Sequence, residues 1–152
     1  MLGRIFPKSF DNTYRGHWLA IWIFAAIVLV KAIQGVNSMV LPRLVATTAD
    51  GIPLDTFNAA GANAVLALFA LLGFYLLVLP LQSVVVLIRY RTMIPFMYLM
   101  LLIVQFGGRL VLLAKPVVRT TAMPAGLAVN LVILGLTLAG FILSLLPRKQ
   151  TK

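Results

Sequence analysis

Residues 18–41 read WLAIWIFAAIVLVKAIQGVNSMVL, an apolar run whose strongly polar residues, Lys31, Gln34, Asn37 and Ser38, all fall in its second half. A bilayer hydrocarbon core of about 30 Å needs roughly 20 mostly apolar residues per helical crossing, and this stretch is long enough. Three more follow at 62–88, 93–114 and 127–146. Together they predict an all-α integral membrane four-helix bundle, a single membrane domain over residues 1–152 with little mass outside the helices. The composition agrees: 62% hydrophobic residues and a mean hydropathy of +1.05 exceed what a water-soluble domain of this size carries.

Working outward, Leu41-Pro42-Arg43 ends the first helix, because proline donates no backbone hydrogen bond and restricts its predecessor. A long loop follows, with a turn expected at Asp50-Gly51-Ile52-Pro53 and Asp55 or Thr56 expected to cap the second helix. Pro80 predicts a kink in that helix, with the Leu76 carbonyl freed. Arg89-Tyr90-Arg91-Thr92 is so short a link that helices two and three should be antiparallel neighbours. Pro95 suits the first turn of helix three, and Pro116 and Pro124 mark the second long loop. Thr120-Thr121-Ala122 in that loop echoes Thr47-Thr48-Ala49 in the first, which would fit duplication of a helical hairpin. Ahead of the first helix, Phe6, Phe10, Tyr14 and Trp18 recur every four residues among basic side chains. That pattern predicts an interfacial segment over residues 1–17, which Pro7 and Asp11-Asn12-Thr13 keep from being one continuous helix.

The net charge of +10 is distributed around the helices rather than gathered in a basic domain. Placing both termini in the cytoplasm puts Arg4, Lys8, Arg15, Arg89, Arg91, Arg148, Lys149 and Lys152 inside, against Arg43, Lys115 and Arg119 outside. This asymmetry satisfies the positive-inside rule and predicts a multi-pass protein of a bacterial inner membrane. Attraction to anionic lipid accounts for the charge without nucleic acid. The chain has no cysteine, one histidine (His17), three aspartates (Asp11, Asp50, Asp55) and no glutamate. A metal site, which usually takes three or four protein ligands, and an acid–base pair are therefore not expected, and neither is a cofactor.

The informative residues are the polar ones within the helices. At 100° per residue, Lys31, Gln34, Gly35 and Ser38 share one face of the first helix. Tyr98, Leu102, Gln105 and Arg109 share a face of the third, and Gly126, Asn130, Ile133, Thr137, Gly140 and Ser144 a stripe of the fourth. Lys31, Gln105, Arg109, Asn63 and Asn130 all converge on the outer half of the bundle. An unpaired cation at mid-helix costs about 2.5–3.5 kcal/mol on insertion scales, and no acidic residue lies in any helix. Lys31 and Arg109 therefore need the loop aspartates, backbone carbonyls, lipid phosphates, snorkelling or an external ligand. The candidate ligand-binding set is Lys31, Gln34, Tyr98, Gln105, Arg109 and Asn130, with Phe106 as an apolar wall. Gly126, Thr137, Gly140 and Ser144 are expected to pack helices, while Gly135 and Ala139, on the opposite face, point to contact with another subunit.

Small multidrug-resistance transporters resemble this chain in size and helix number but rely on a membrane-embedded glutamate, which it lacks. The general form, with a longer first outer loop, is similar to DoxX-like bacterial membrane proteins, but no motif carries that likeness and no residue role follows from it. The expectation is a non-enzymatic accessory or assembly subunit of a larger membrane complex. Its partners would be membrane lipids and another membrane protein or a second copy of itself. The alternative is a binder or carrier of a lipid or quinone through the outer polar pocket.

Overall fold

The computed structural model describes residues 2–7, 9–121 and 123–147. Expectations attached to Lys8, Ala122 and the basic tail Arg148, Lys149 and Lys152 lie outside the described residues. Four helices dominate: α1 (Trp18–Val40), α2 (Ala59–Arg89), α3 (Ile94–Ala114) and α4 (Ala125–Leu145). No strand occurs among the described residues. Each helix is long and apolar enough to cross a membrane, with windows of mean hydropathy from 1.9 to 2.6. In lipid, only helices or closed barrels satisfy every backbone group internally, so apolar runs of this length fold as helices.

The helix ends follow local chemistry. His17 Nδ1 accepts from Leu19 N at 3.3 Å at the start of α1. Asn58 Oδ1 accepts from Gly61 N at 2.7 Å and caps α2, which corrects the expectation of Asp55 or Thr56. Those two residues lie in a short 3-10 turn, Leu54–Thr56, where Thr56 Oγ1 instead donates to Pro53 O. Capped at Asn58, α2 runs 31 residues, about 46 Å at 1.5 Å per residue. That exceeds the hydrocarbon thickness, which a bilayer accommodates by helix tilt, bending or projection past the core.

The first loop is structured. Pro42–Leu44 makes one more helical turn and Val45–Ala49 a π-helical one, in which Thr47 and Thr48 bond back to the Arg43 and Leu44 carbonyls. Gly51 then turns the chain with φ +67°, a conformation that glycine adopts without penalty. Its carbonyl accepts from Thr120 N at 2.8 Å and Thr120 Oγ1 at 3.2 Å, clasping the two loops together. Thr120 and Thr121 sit in bends rather than a helix, so the two Thr-Thr segments do not share a local structure.

Packing is uneven around the bundle. α2 lies chiefly along α1, α1 also packs on α4, and α4 on α3. The expectation that α2 and α3 would be close neighbours holds at the turn joining them, but their mutual packing is slight. Glycines give the reason. A Cβ at Gly73 of α2 would collide with the Met39 amide and would lie 2.8 Å from the Gly35 carbonyl oxygen, so two bare backbones meet there and seat α2 on α1. Gly107 and Gly108 of α3 have nothing comparable within 4 Å.

The apolar core fills the half of the bundle nearer the termini, around Ala20, Phe24, Ile27, Ile94, Met97, Tyr98, Leu101 and Ile133. Tyr98 is its centre. Its hydroxyl donates to the Ala20 carbonyl at 2.7 Å, its ring packs on Phe24 with centroids 5.0 Å apart, and Gly140 leaves the space it occupies. With the apolar core at one end, the polar helix side chains Lys31, Gln34, Gln105, Arg109 and Asn130 collect toward the other.

Candidate functional site

At the loop end, residues of all four helices and both long loops line an open cavity of about 260 Å3. α1 supplies Lys31 and Gln34, α3 supplies Gln105 and Arg109, α4 supplies Asn130, and the loops add Asp50 and Arg119. Leu76 of α2 and Val104, Gly108 and Leu112 of α3 give apolar wall, along the seam where those two helices pack least. Leu76 is also the residue whose carbonyl Pro80, lacking an N–H, leaves without its helical donor.

Lys31 is half-buried and turned inward. Its Nζ donates to Gln34 Oε1 at 3.0 Å and to Asn130 Oδ1 at 2.8 Å. Both acceptors are neutral amides, so the hydrogen bonds are satisfied while the charge is not. An ammonium has three donors, which leaves one for a further acceptor. The compensation weighed from sequence thus takes the form of structural pairing for Lys31 rather than snorkelling, and a loop aspartate, Asp50, does fold back into the cavity.

Gln105 is fixed by donating through Nε2 to Thr137 Oγ1 at 3.1 Å, and Thr137 donates on to the Ile133 carbonyl at 2.6 Å. The Gln105 Oε1 and the Arg119 Nε are buried without a hydrogen-bond partner. Leaving such groups unpaired costs about 1–3 kcal/mol each, so the site holds both an acceptor and a donor in want of a partner. Three cationic side chains, Lys31, Arg109 and Arg119, face one carboxylate, Asp50.

The candidate residues divide cleanly. Lys31, Gln34, Gln105, Arg109 and Asn130 come together as expected. Tyr98 does not join them: it lies on the same face of α3, but seven residues toward the termini, about 10 Å along the axis, and is sealed in the apolar core. Phe106 is likewise absent from the cavity wall and 45% exposed on the outside of the bundle. Asn63 is exposed on α2. Of the helix-packing set, Thr137, Gly140 and Ser144 are buried. A Cβ at Gly126 would sit 2.7 Å from the Ala49 carbonyl oxygen, so α4 abuts the first loop there. Gly135 and Ala139 lie on an exposed face, and no atom stands within 4 Å of a Cβ placed on Gly135.

Asp50 and Arg119 are the site residues that helix periodicity could not find, because loops have no periodicity. For Asp50 the sequence offers its place among the loop aspartates able to fold back on Lys31 and Arg109, beside the glycine turn at Gly51; Arg119 carries no such signal. Burial pushes the Asp50 carboxyl above the usual carboxylate range, and the Arg119 guanidinium opposes that push. A carboxyl raised on folding binds protons more tightly in the native state, so its contribution favours the fold at low pH and is lost as pH rises through the folded value. Wild type should therefore gain thermal stability relative to Asp50→Asn as pH is lowered from neutral. Parallel pH profiles of melting temperature for the two proteins would contradict this.

Comparison with known proteins adds no identity: no family model, curated protein or solved structure matches the chain.

Proposed function

We propose that this is a non-enzymatic membrane protein that binds or carries an amphipathic small molecule with an anionic head, held in the cavity at the loop end. The observation that carries the reading is Lys31, a helix-borne cation whose bonds go only to neutral amides, in a cavity with two arginines and one carboxylate. An anionic head would supply the missing negative charge and take the remaining Lys31 donor and the Arg119 Nε. Charge-assisted bonds of this kind are roughly twice as strong as neutral ones. A protonated or hydroxyl-bearing head group would also satisfy Gln105 Oε1. The sparse seam between α2 and α3, with Leu76 and Val104 beside it, suits the entry of an acyl or isoprenoid tail from lipid.

The charge excess favours an anionic lipid over a neutral quinone. Equilibrium binding in detergent tests this: an anionic phospholipid should bind at least tenfold more tightly than a quinone or a zwitterionic lipid with the same chains, and equal affinities would defeat the reading. The distribution of basic residues supports an orientation with both termini in the cytoplasm of a bacterial inner membrane and the cavity toward the outer leaflet.

A second reading, an accessory or assembly subunit of a larger membrane complex, is favoured by a different observation. α2 covers little of itself, with only 11% of its most apolar window buried, and the Gly135–Ala139 face of α4 is open. Gly135→Leu should leave the isolated bundle intact yet displace a partner or second copy in gently extracted membranes. Unchanged association by native mass spectrometry would remove that face from the interface.

A further inference from the structure

The opposite end of the bundle holds a second, larger cavity, of about 370 Å3, that the outer site does not explain. Its walls come from the N-terminal segment, the turn between α2 and α3, and the last turn of α4, and include Arg4, Tyr14, Arg15, Arg91, Thr92 and Ser144. We propose that this cavity is a phosphate-binding site, with the arginines gripping the phosphoryl oxygens.

The segment that forms the cavity is fastened down rather than draped over the helix ends. Thr92 Oγ1 donates to the Asp11 carbonyl at 3.0 Å, Thr92 N donates to the same carbonyl at 3.3 Å, and His17 N donates to the Leu143 carbonyl at 3.2 Å. Arg4 Nη1 donates to the Leu145 carbonyl at 2.5 Å, and Arg91 Nε to the Leu87 carbonyl at 2.9 Å. Each bond uses one of a guanidinium's five donors and fixes the arginine on a helix C-terminus. Such a terminus carries about half a negative charge. Two of them against three arginines leave roughly two positive charges on the walls, which matches a phosphate.

Among the described residues, no carboxylate lines this cavity. Asp11, the acidic residue of the N-terminal segment, is not in its wall and already accepts from Thr13 N at 2.7 Å through Oδ1. The Tyr14 ring packs against the apolar core and closes the floor of the cavity. Planar guanidinium forks suit phosphate oxygens geometrically, and the cavity sits where helix ends meet the headgroup layer. The phosphate could be that of a lipid headgroup or a free anion, and the test separates the two.

Binding is measured on the Lys31→Met protein, in which the outer cavity is already weakened, and each further variant is read against that parent. One arm uses phosphatidylcholine nanodiscs doped with phosphatidylglycerol and follows phosphatidylglycerol retained through delipidation. The other uses lipid-free detergent and calorimetry with inorganic phosphate. Retention in the first arm alone assigns a lipid headgroup, and binding in the second assigns a free phosphate. Arg15→Gln is the decisive variant, because Arg15 is exposed and its loss uncaps no helix, whereas Arg4→Gln also removes the bond to Leu145. Affinity should fall about tenfold or more in Arg15→Gln, as expected for losing a hydrogen bond to a charged group. The proposal is overturned if Arg15→Gln holds the probe as tightly as its parent, or if the parent holds neither probe.

Discussion

Gly73→Leu should destroy the stable bundle, while Gly135→Leu should leave it intact. Within lipid the hydrophobic effect no longer drives helices together, and close van der Waals packing takes its place. At Gly73 that packing is backbone on backbone: an added Cβ would meet the Met39 amide, the Ser38 carbonyl carbon and the Gly35 oxygen. None of these atoms can swing aside as a side chain can, so α2 must lift off α1. Overpacking typically costs 1–3 kcal/mol, and a leucine placed here should cost about 3 kcal/mol or more, because no rotamer avoids the collision. Gly135 has open space around it, so a leucine there only adds apolar surface facing lipid. Thermal unfolding in detergent, followed through Trp18 and Trp22 of α1, reads both variants. Equal melting temperatures for Gly73→Leu and wild type would show that the α1–α2 crossing is not what holds the bundle.

Lys31→Met should separate binding from stability. Removing the ammonium removes the donor nearest Gln34 and Asn130, whose amides can then bond to each other. It also removes a cation whose mid-membrane burial costs about 2.5–3.5 kcal/mol. The folded bundle should therefore be as stable as wild type or more so. Ligand affinity should move the other way, by about ten- to a hundredfold, the equivalent of a lost hydrogen bond to a charged group. Arg109→Met should weaken binding in the same direction. A purely structural lysine would give the reverse pattern, with lower melting temperature and the same retained lipids, and that result would sink the cavity as a binding site.

The helices were legible because lipid imposes a length rule on apolar runs. Residues 18–41 became Trp18–Val40, and 127–146 became Ala125–Leu145. The largest displacement is at the start of α2, where Asn58 rather than Asp55 or Thr56 supplies the cap. Three nearby residues of similar capping chemistry cannot be ranked without knowing where the preceding loop is tied. That tie is the Gly51–Thr120 clasp, a contact between residues 69 apart in sequence, and the same clasp brings Asp50 and Arg119 to the cavity. Helical periodicity placed Lys31, Gln34, Gln105, Arg109 and Asn130 on facing surfaces, but it carries angle only. Tyr98 shares the angle of Gln105 and differs in depth, and depth decided that it belongs to the apolar core. Glycine was legible as a packing residue but not as a partner. Gly35 and Gly73 meet, Gly140 receives Tyr98, and Gly135 meets nothing, a distinction that depends on which helices are adjacent.

Native mass spectrometry of the protein extracted gently from its own membranes, beside the Lys31→Met and Arg109→Met variants, tests the central claim most directly. The account predicts that wild type retains one more anionic amphiphile per chain than either variant, with the folded bundle preserved in each. Wild type carrying no such molecule, or the variants carrying the same molecule at the same stoichiometry, would contradict it.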